Sequence, residues 1–282
     1  MSSNLNRRDF LCASAVGLAA ATVSRSAFAA EPKDPYLGLK MGIQSYSLRE
    51  FKVEEALEQT KTLGLKYWEA FPNHIPMGTV PKHIQTQKDL LSKAGITLLS
   101  YGVVGFDGNE TSAREKFDFA KAMGIKSLSA DPNPDKVTFD LLDKLVAEYD
   151  VAIAIHNHGP GHRYNKISDV ENVVKDRHAK IGACVDTGHY IRGDENPVEA
   201  VQRFGKRVFG VHLKDFKTVP GVSEKQPRIA GEGDLKVTEL LKALKHLNYE
   251  YCVAIEYEEN AKNPLSDIEA CLKHVRECAA KI

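Results

Sequence analysis

The chain has 282 residues, with 38 Lys and Arg against 38 Asp and Glu, so it is formally neutral; 43% is hydrophobic and 27% charged. That balance is ordinary for a folded globular protein and excludes disorder, collagen-like repeats and a disulfide scaffold. The lack of a basic excess also argues against a nucleic-acid partner.

The first thirty residues read differently from the rest. Arg7 and Arg8 precede an uncharged run over residues 10–23, and Ala27-Phe28-Ala29 fits a small-x-small cleavage site. We read residues 1–29 as a cleaved twin-arginine signal peptide and residues 30–282 as the working domain. The apolar run is shorter than the ~20 residues a membrane span needs, so no stable membrane anchor is expected. A leader of this type implies export of a folded protein, to the periplasm or beyond, often with its cofactor in place. Its removal leaves a mildly acidic chain, because three arginines and one aspartate go with it. The remaining cysteines, Cys184, Cys252, Cys271 and Cys278, form no C-x-x-C pair. They are expected to be buried small apolar residues rather than disulfides or metal ligands.

Beyond residue 40 short apolar runs alternate with helical patterns. Strands are expected over residues 41–46, 67–71, 97–103, 127–130, 151–156, 181–185, 208–213 and 251–256. Several are apolar throughout, as strands covered on both faces should be. Helices are expected over residues 53–63, 82–94, 112–123, 138–148, 168–177, 197–204, 237–247 and 266–280. Gly64, Gly95 and Gly124 each stand where a helix C-cap belongs, and Ser266 stands where the last helix would have its N-cap. Eight strand–helix units in this length predict an α/β fold, a single (β/α)8 TIM barrel. An open doubly wound sheet is the alternative, but no G-x-G-x-x-G follows the first strand.

Active sites of such barrels lie at the C-terminal ends of the strands. Strands five to eight end in His156, Asp186, His212 and Glu256, spaced 30, 26 and 44 residues apart. The longest gap contains an extra loop, residues 214–234. One βα unit recurs about every 30 residues, so the four side chains should face one centre at one barrel mouth. Two imidazoles and two carboxylates suit one divalent ion, with manganese foremost and zinc, cobalt, nickel or iron also suitable. His158, His162 and His189 are further candidates for proton transfer. Lys214, Glu69, Gln44 and Tyr46 are candidate substrate contacts, and Asp215 is placed to orient an imidazole or the lysine.

The segments Val185-Asp186-Thr187-Gly188-His189 and His212-Leu213-Lys214-Asp215, with an apolar strand ending in Glu256, resemble the xylose-isomerase-like sugar isomerase/epimerase superfamily. That group includes ketose 3-epimerases, inosose dehydratase and, more distantly, endonuclease IV. The resemblance implies that Asp186, His212 and Glu256 bind one divalent metal and that His189 contacts substrate. One position departs from the pattern: His156 stands where the family usually has Glu at the end of strand five. In the epimerases that Glu and the eighth-strand Glu act on opposite faces of the substrate.

The resemblance implies a small sugar substrate and removal of a proton next to its carbonyl, with Glu256 as base and His158 or His189 as partner. Isomerisation or epimerisation is the leading outcome. β-Elimination from a 3-keto-glycoside is the alternative, since it needs one base and one acid rather than two symmetric bases. A non-catalytic sugar-binding protein is the remaining reading. The sequence leaves oligomerisation open.

Overall fold

Eight parallel strands close on themselves, each followed by a segment that returns the chain along the outside. The computed structural model describes residues 34–282, and the leader expected over residues 1–29 lies outside them. Strand β1 (Lys40–Gln44) pairs with β2 (Tyr67–Ala70) on one side and with β10 (Cys252–Ile255) on the other. The circle is completed by β3 (Thr97–Phe106), β4 (Ser127–Pro132), β5 (Ala152–His156), β6 (Ile181–Asp186) and β7 (Val208–Leu213). This is the expected TIM barrel.

The outer helices are α1 (Val53–Thr62), α2 (Pro81–Ala94), α3 (Glu110–Met123), α4 (Lys136–Tyr149) and α5 (Ile167–Val174). They continue as α6 (Thr187–Arg192), α7 (Pro197–Phe204), α8 (Val237–His246) and α9 (Leu265–Ala279). Gly95 and Gly124 end α2 and α3 in the left-handed region, at φ of 70° and 77°. Ser266 does not cap α9: the helix starts one residue earlier, with Pro264 at the N-cap and no side-chain cap bond. The long segment after β7 is partly ordered as a hairpin of β8 (Asp215–Lys217) and β9 (Gln226–Arg228). No helix among the described residues is long and apolar enough to cross a membrane.

Strand alternation divides the apolar residues into two sets. Ile153, Ile155, Val185, Val211, Val253 and Ile255 face outward and pack under the helices, forming the main core. The inward positions of the same strands are small: Ala152, Ala154, Cys184, Gly210 and Ala254. The Phe209 ring fills the lower interior against these residues and meets Tyr251 edge-on, with ring centroids 5.2 Å apart. All four cysteines of the described residues are free and buried, as their apolar settings suggested.

Gly182 shows how tight the lower barrel is. A Cβ there would lie 2.0 Å from the Arg207 carbonyl oxygen and 2.8 Å from the Phe209 ring. Gly182→Ala is therefore expected to destabilise the barrel by about 1–3 kcal/mol, because backbone must move. Urea unfolding would check this; an unchanged midpoint would mean that the strands have slack.

Candidate active site and metal centre

Four side chains converge at the C-terminal mouth because four strands end in phase. His156 ends β5, Asp186 ends β6, His212 lies one residue before the end of β7, and Glu256 directly follows β10. Register holds them level: Asp186 pairs with His212, and the Glu256 amide donates to the Leu213 carbonyl at 3.1 Å. One ligand atom from each of the four lies within 4.8 Å of all the others.

The separations are those of a coordination shell. His156 Nε2 is 3.0 Å from His212 Nδ1, which in turn is 3.1 Å from Glu256 Oε2. Asp186 Oδ2 lies 3.6 Å from His156 Nε2 and 3.8 Å from His212 Nδ1. Ligands held about 2.0–2.2 Å from a common ion sit roughly 3.0–3.6 Å apart, so these residues fit one divalent cation. Asp186 Oδ2 and Glu256 Oε2 are buried and accept no well-directed hydrogen bond. Lys214 Nζ approaches them at 3.2 and 2.9 Å, close enough for charge pairing.

Two of the four side chains, His212 and Asp186, are braced from behind. Glu69 is fully buried on β2, and its Oε1 accepts the His212 Nε2 proton at 2.8 Å. A carboxylate only accepts, so Nε2 carries the hydrogen and Nδ1 faces the ligand set. Gln44 Nε2 donates to the same Glu69 oxygen at 3.0 Å, and Ser100 Oγ donates to the other at 2.8 Å. Glu69 therefore corrects the expectation of a substrate contact on the rim: it lies beneath His212 and orients it. Glu69→Gln is expected to lower metal affinity about 10–100-fold, as loss of such support does. Metal content after dialysis against graded chelator would measure it; wild-type retention would remove Glu69 from this role.

Asp186 is held from two sides. Its Oδ1 caps α6 by accepting the His189 amide at 2.7 Å. The Asn157 side chain bonds both backbone groups of Asp186, at 2.8 and 3.0 Å. Asn157 lies between His156 and His158 and points to the opposite side of the chain, a role its position alone did not reveal.

Above the ligands lies a cavity of about 260 Å³, bordered by Tyr46, Phe71, His158, His189, Lys214 and Glu258. Of the two ligand carboxylates Glu256 borders it, whereas Asp186 does not; Glu69, behind His212, does not border it either. The His158 and His189 rings form one wall, nearly parallel with centroids 5.6 Å apart. Burial, reinforced by His156 and His162, pushes the His158 pKa down to about 4. Burial with Lys214 and His156 pushes that of His189 to about 3. Both rings are thus neutral near pH 7. Burial opposes the charge on Glu256, but Lys214 and His212 outweigh it and hold the carboxyl well below the usual range.

Lys214 is a buried site residue: its ammonium joins Asp186, Glu256 and Glu258. Gln44 reaches the cavity edge, though its amide is engaged with Glu69, Gly102 and the Tyr46 backbone. His162 lies behind His158, with ring centroids 4.1 Å apart, and its Nε2 is 3.4 Å from Asp131. Asp215 orients no imidazole and no lysine. Its carboxylate accepts the amides of Gly231, Gly233 and Leu235 at 2.9–3.0 Å and so ties down the loop before α8. Glu258 was missed, although it follows Glu256 at the two-residue spacing that keeps an extended chain's side chains on one face.

Residues 57–278 match the family described as xylose isomerase-like TIM barrel. The chain belongs to that family. Among curated relatives of this xylose isomerase-like barrel is an inosose dehydratase from Clostridium botulinum (strain Eklund 17B / Type B), 28% identical over 155 residues. That match covers 49% of this chain and 52% of the relative, so the chain spans about half the length of the curated relative. Solved structures of like fold include the IolI protein with a bound zinc atom, at 18% identity and TM-score 0.67 over 86% of this chain and 99% of that one. The 3-keto-D-glucoside 4-epimerase YcjR from E. coli superposes at 16% identity and TM-score 0.65, over 85% of this chain and all of that one. At these identities the two structures attest the shared fold.

Proposed function

We propose that this chain is a divalent-metal-dependent enzyme that removes the proton next to the carbonyl of a sugar. The convergence of His156, Asp186, His212 and Glu256 within 4.8 Å beneath a cavity carries the reading. A bound divalent cation would act as a Lewis acid on the carbonyl oxygen and neutralise the charge that develops there. Manganese leads among the metals this donor set suits, with zinc, cobalt, nickel and iron behind it. Glu256 is the base, being the ligand carboxylate that borders the cavity. Lys214 pairs with it and helps hold it ionised.

Among the outcomes of that proton removal, we favour β-elimination. Carboxylates stand on the Glu256 and Glu258 side, whereas His158 and His189 face the cavity as neutral imidazoles. This asymmetry suits one base and an N–H donor to a leaving oxygen better than two matched bases. The curated relative being a dehydratase agrees with it. Isomerisation or epimerisation shares the first step. Incubation in heavy water with ketoses and 3-keto-glycosides separates the two outcomes. Release of the leaving group with an unsaturated sugar product supports elimination, and deuterium at the α-carbon of an intact sugar supports the isomerase. No exchange with any carbonyl sugar would sink both.

The twin-arginine leader places the enzyme, in this reading, in the periplasm or outside the cell. Replacing Arg7 and Arg8 by lysine would then retain the precursor in the cytoplasm.

A further inference from the structure

The barrel wall is uneven. Strand β3 has ten residues and β4 six, and both run beyond the ends their sequences suggested. Their register shifts between Tyr101 and Val104, and pairing then resumes as Val104 with Ala130, Gly105 with Asp131 and Phe106 with Pro132. Such irregularities re-aim side chains near sites. Here the extension, through Gly105, Phe106 and Asp131, borders a second, open recess of about 450 Å³.

This recess adjoins the metal-side cavity, because Val103 and His158 border both. The metal-side cavity alone, at about 260 Å³, is smaller than the ~300–1,000 Å³ typical of small-molecule sites. With the recess added, the combined space falls inside that range. Polar groups are fixed around it. Arg163 forks onto both oxygens of Asp131 at 2.9 Å and onto Asn133 Oδ1 at 2.8 Å. Asp131 keeps lone pairs, and Asn133 keeps its amide hydrogens, for a further partner. Lys116 stands 5.4 Å above the Phe106 ring. The two cations, Lys116 and Arg163, are matched by Asp107 and Asp131, so the recess has no net charge to select an anion.

We infer that the recess is a second subsite, which takes a neutral, hydroxyl-rich ring joined to the sugar held at the metal side. A paired acceptor and donor fork suits the vicinal hydroxyls of a pyranose. The inference rests on the proposed reaction only in specifying the substrate as a two-ring sugar; the binding itself does not depend on turnover.

The test uses the metal-loaded protein and calorimetry with cellobiose, maltose, lactose and trehalose against glucose. At least one disaccharide should bind about tenfold or more tighter than glucose, the worth of one or two hydrogen bonds. Arg163→Ala should erase that preference. Gly105→Val should do the same by filling the recess, where an added Cβ meets only the Asp131 carbonyl oxygen, at 4.0 Å. Both variants should bind glucose as the parent does, which shows that the metal side is intact. A parent with no disaccharide preference, a Gly105→Val variant that keeps it, or displacement of the disaccharide by millimolar inorganic phosphate would each overturn the inference. Tight disaccharide binding without α-proton exchange on the keto-disaccharide would leave the subsite standing and remove the proposed reaction.

Discussion

Glu256→Gln is expected to lower turnover of a keto-sugar substrate by about 10²–10⁴-fold, the usual weight of a positioned base. The substitution keeps the shape of the side chain and removes its charge. Lys214 still has Asp186 and Glu258 for partners, so the fold should survive. The remaining three ligands, His156, Asp186 and His212, are the number that open catalytic metal sites commonly use, so metal should be weakened rather than lost. The signature is a fall in kcat with little change in KM, together with loss of α-proton exchange in heavy water. Exchange at the parental rate would transfer the base to another group, and Glu258 would be the first to examine.

Asp186→Ala is expected to lose the metal altogether and to cost stability as well. It removes the oxygen aimed into the ligand set and the oxygen that caps α6. Loss of the cap alone costs about 0.5–2 kcal/mol. Breaking a buried ion pair with Lys214 adds up to about 3–5 kcal/mol when the partner stays charged. Asp186→Asn separates the effects, since its side-chain oxygen can still cap while the negative charge is gone. Metal analysis and urea unfolding in metal-free buffer should show metal lost or greatly weakened in both variants, with the larger stability loss in alanine. Retention of a full equivalent of metal by both would discard the ligand assignment.

The candidate metal site was legible because it depends on phase. A strand alternates its side chains, a βα unit recurs about every 30 residues, and His156, Asp186, His212 and Glu256 keep both rhythms. Depth is not written in those rhythms. Glu69 shares the inward phase but lies fully buried below the mouth, and only the three-dimensional register places it on His212. Asp215 failed for a related reason: the chain turns outward after Lys214, so its carboxylate meets the Gly231–Leu235 loop instead of the ligands. The β3–β4 extension lies past the expected ends at residues 103 and 130, where pairing resumes only after a register shift between Tyr101 and Val104. The six-residue helix α6 was too short to show a helical repeat.

The aromatic plug in the lower barrel has a consequence for the order of events. Phe209 and Tyr251 pack into the interior beneath the small residues, and the cavity over the ligands opens on the opposite side, at the mouth. Ion and sugar would then share a single doorway at the mouth. A sugar in place would bar the ion's exit, so chelator should strip the saturated enzyme far more slowly than the empty one. Loading would have to run in the opposite sequence, ion first and sugar second.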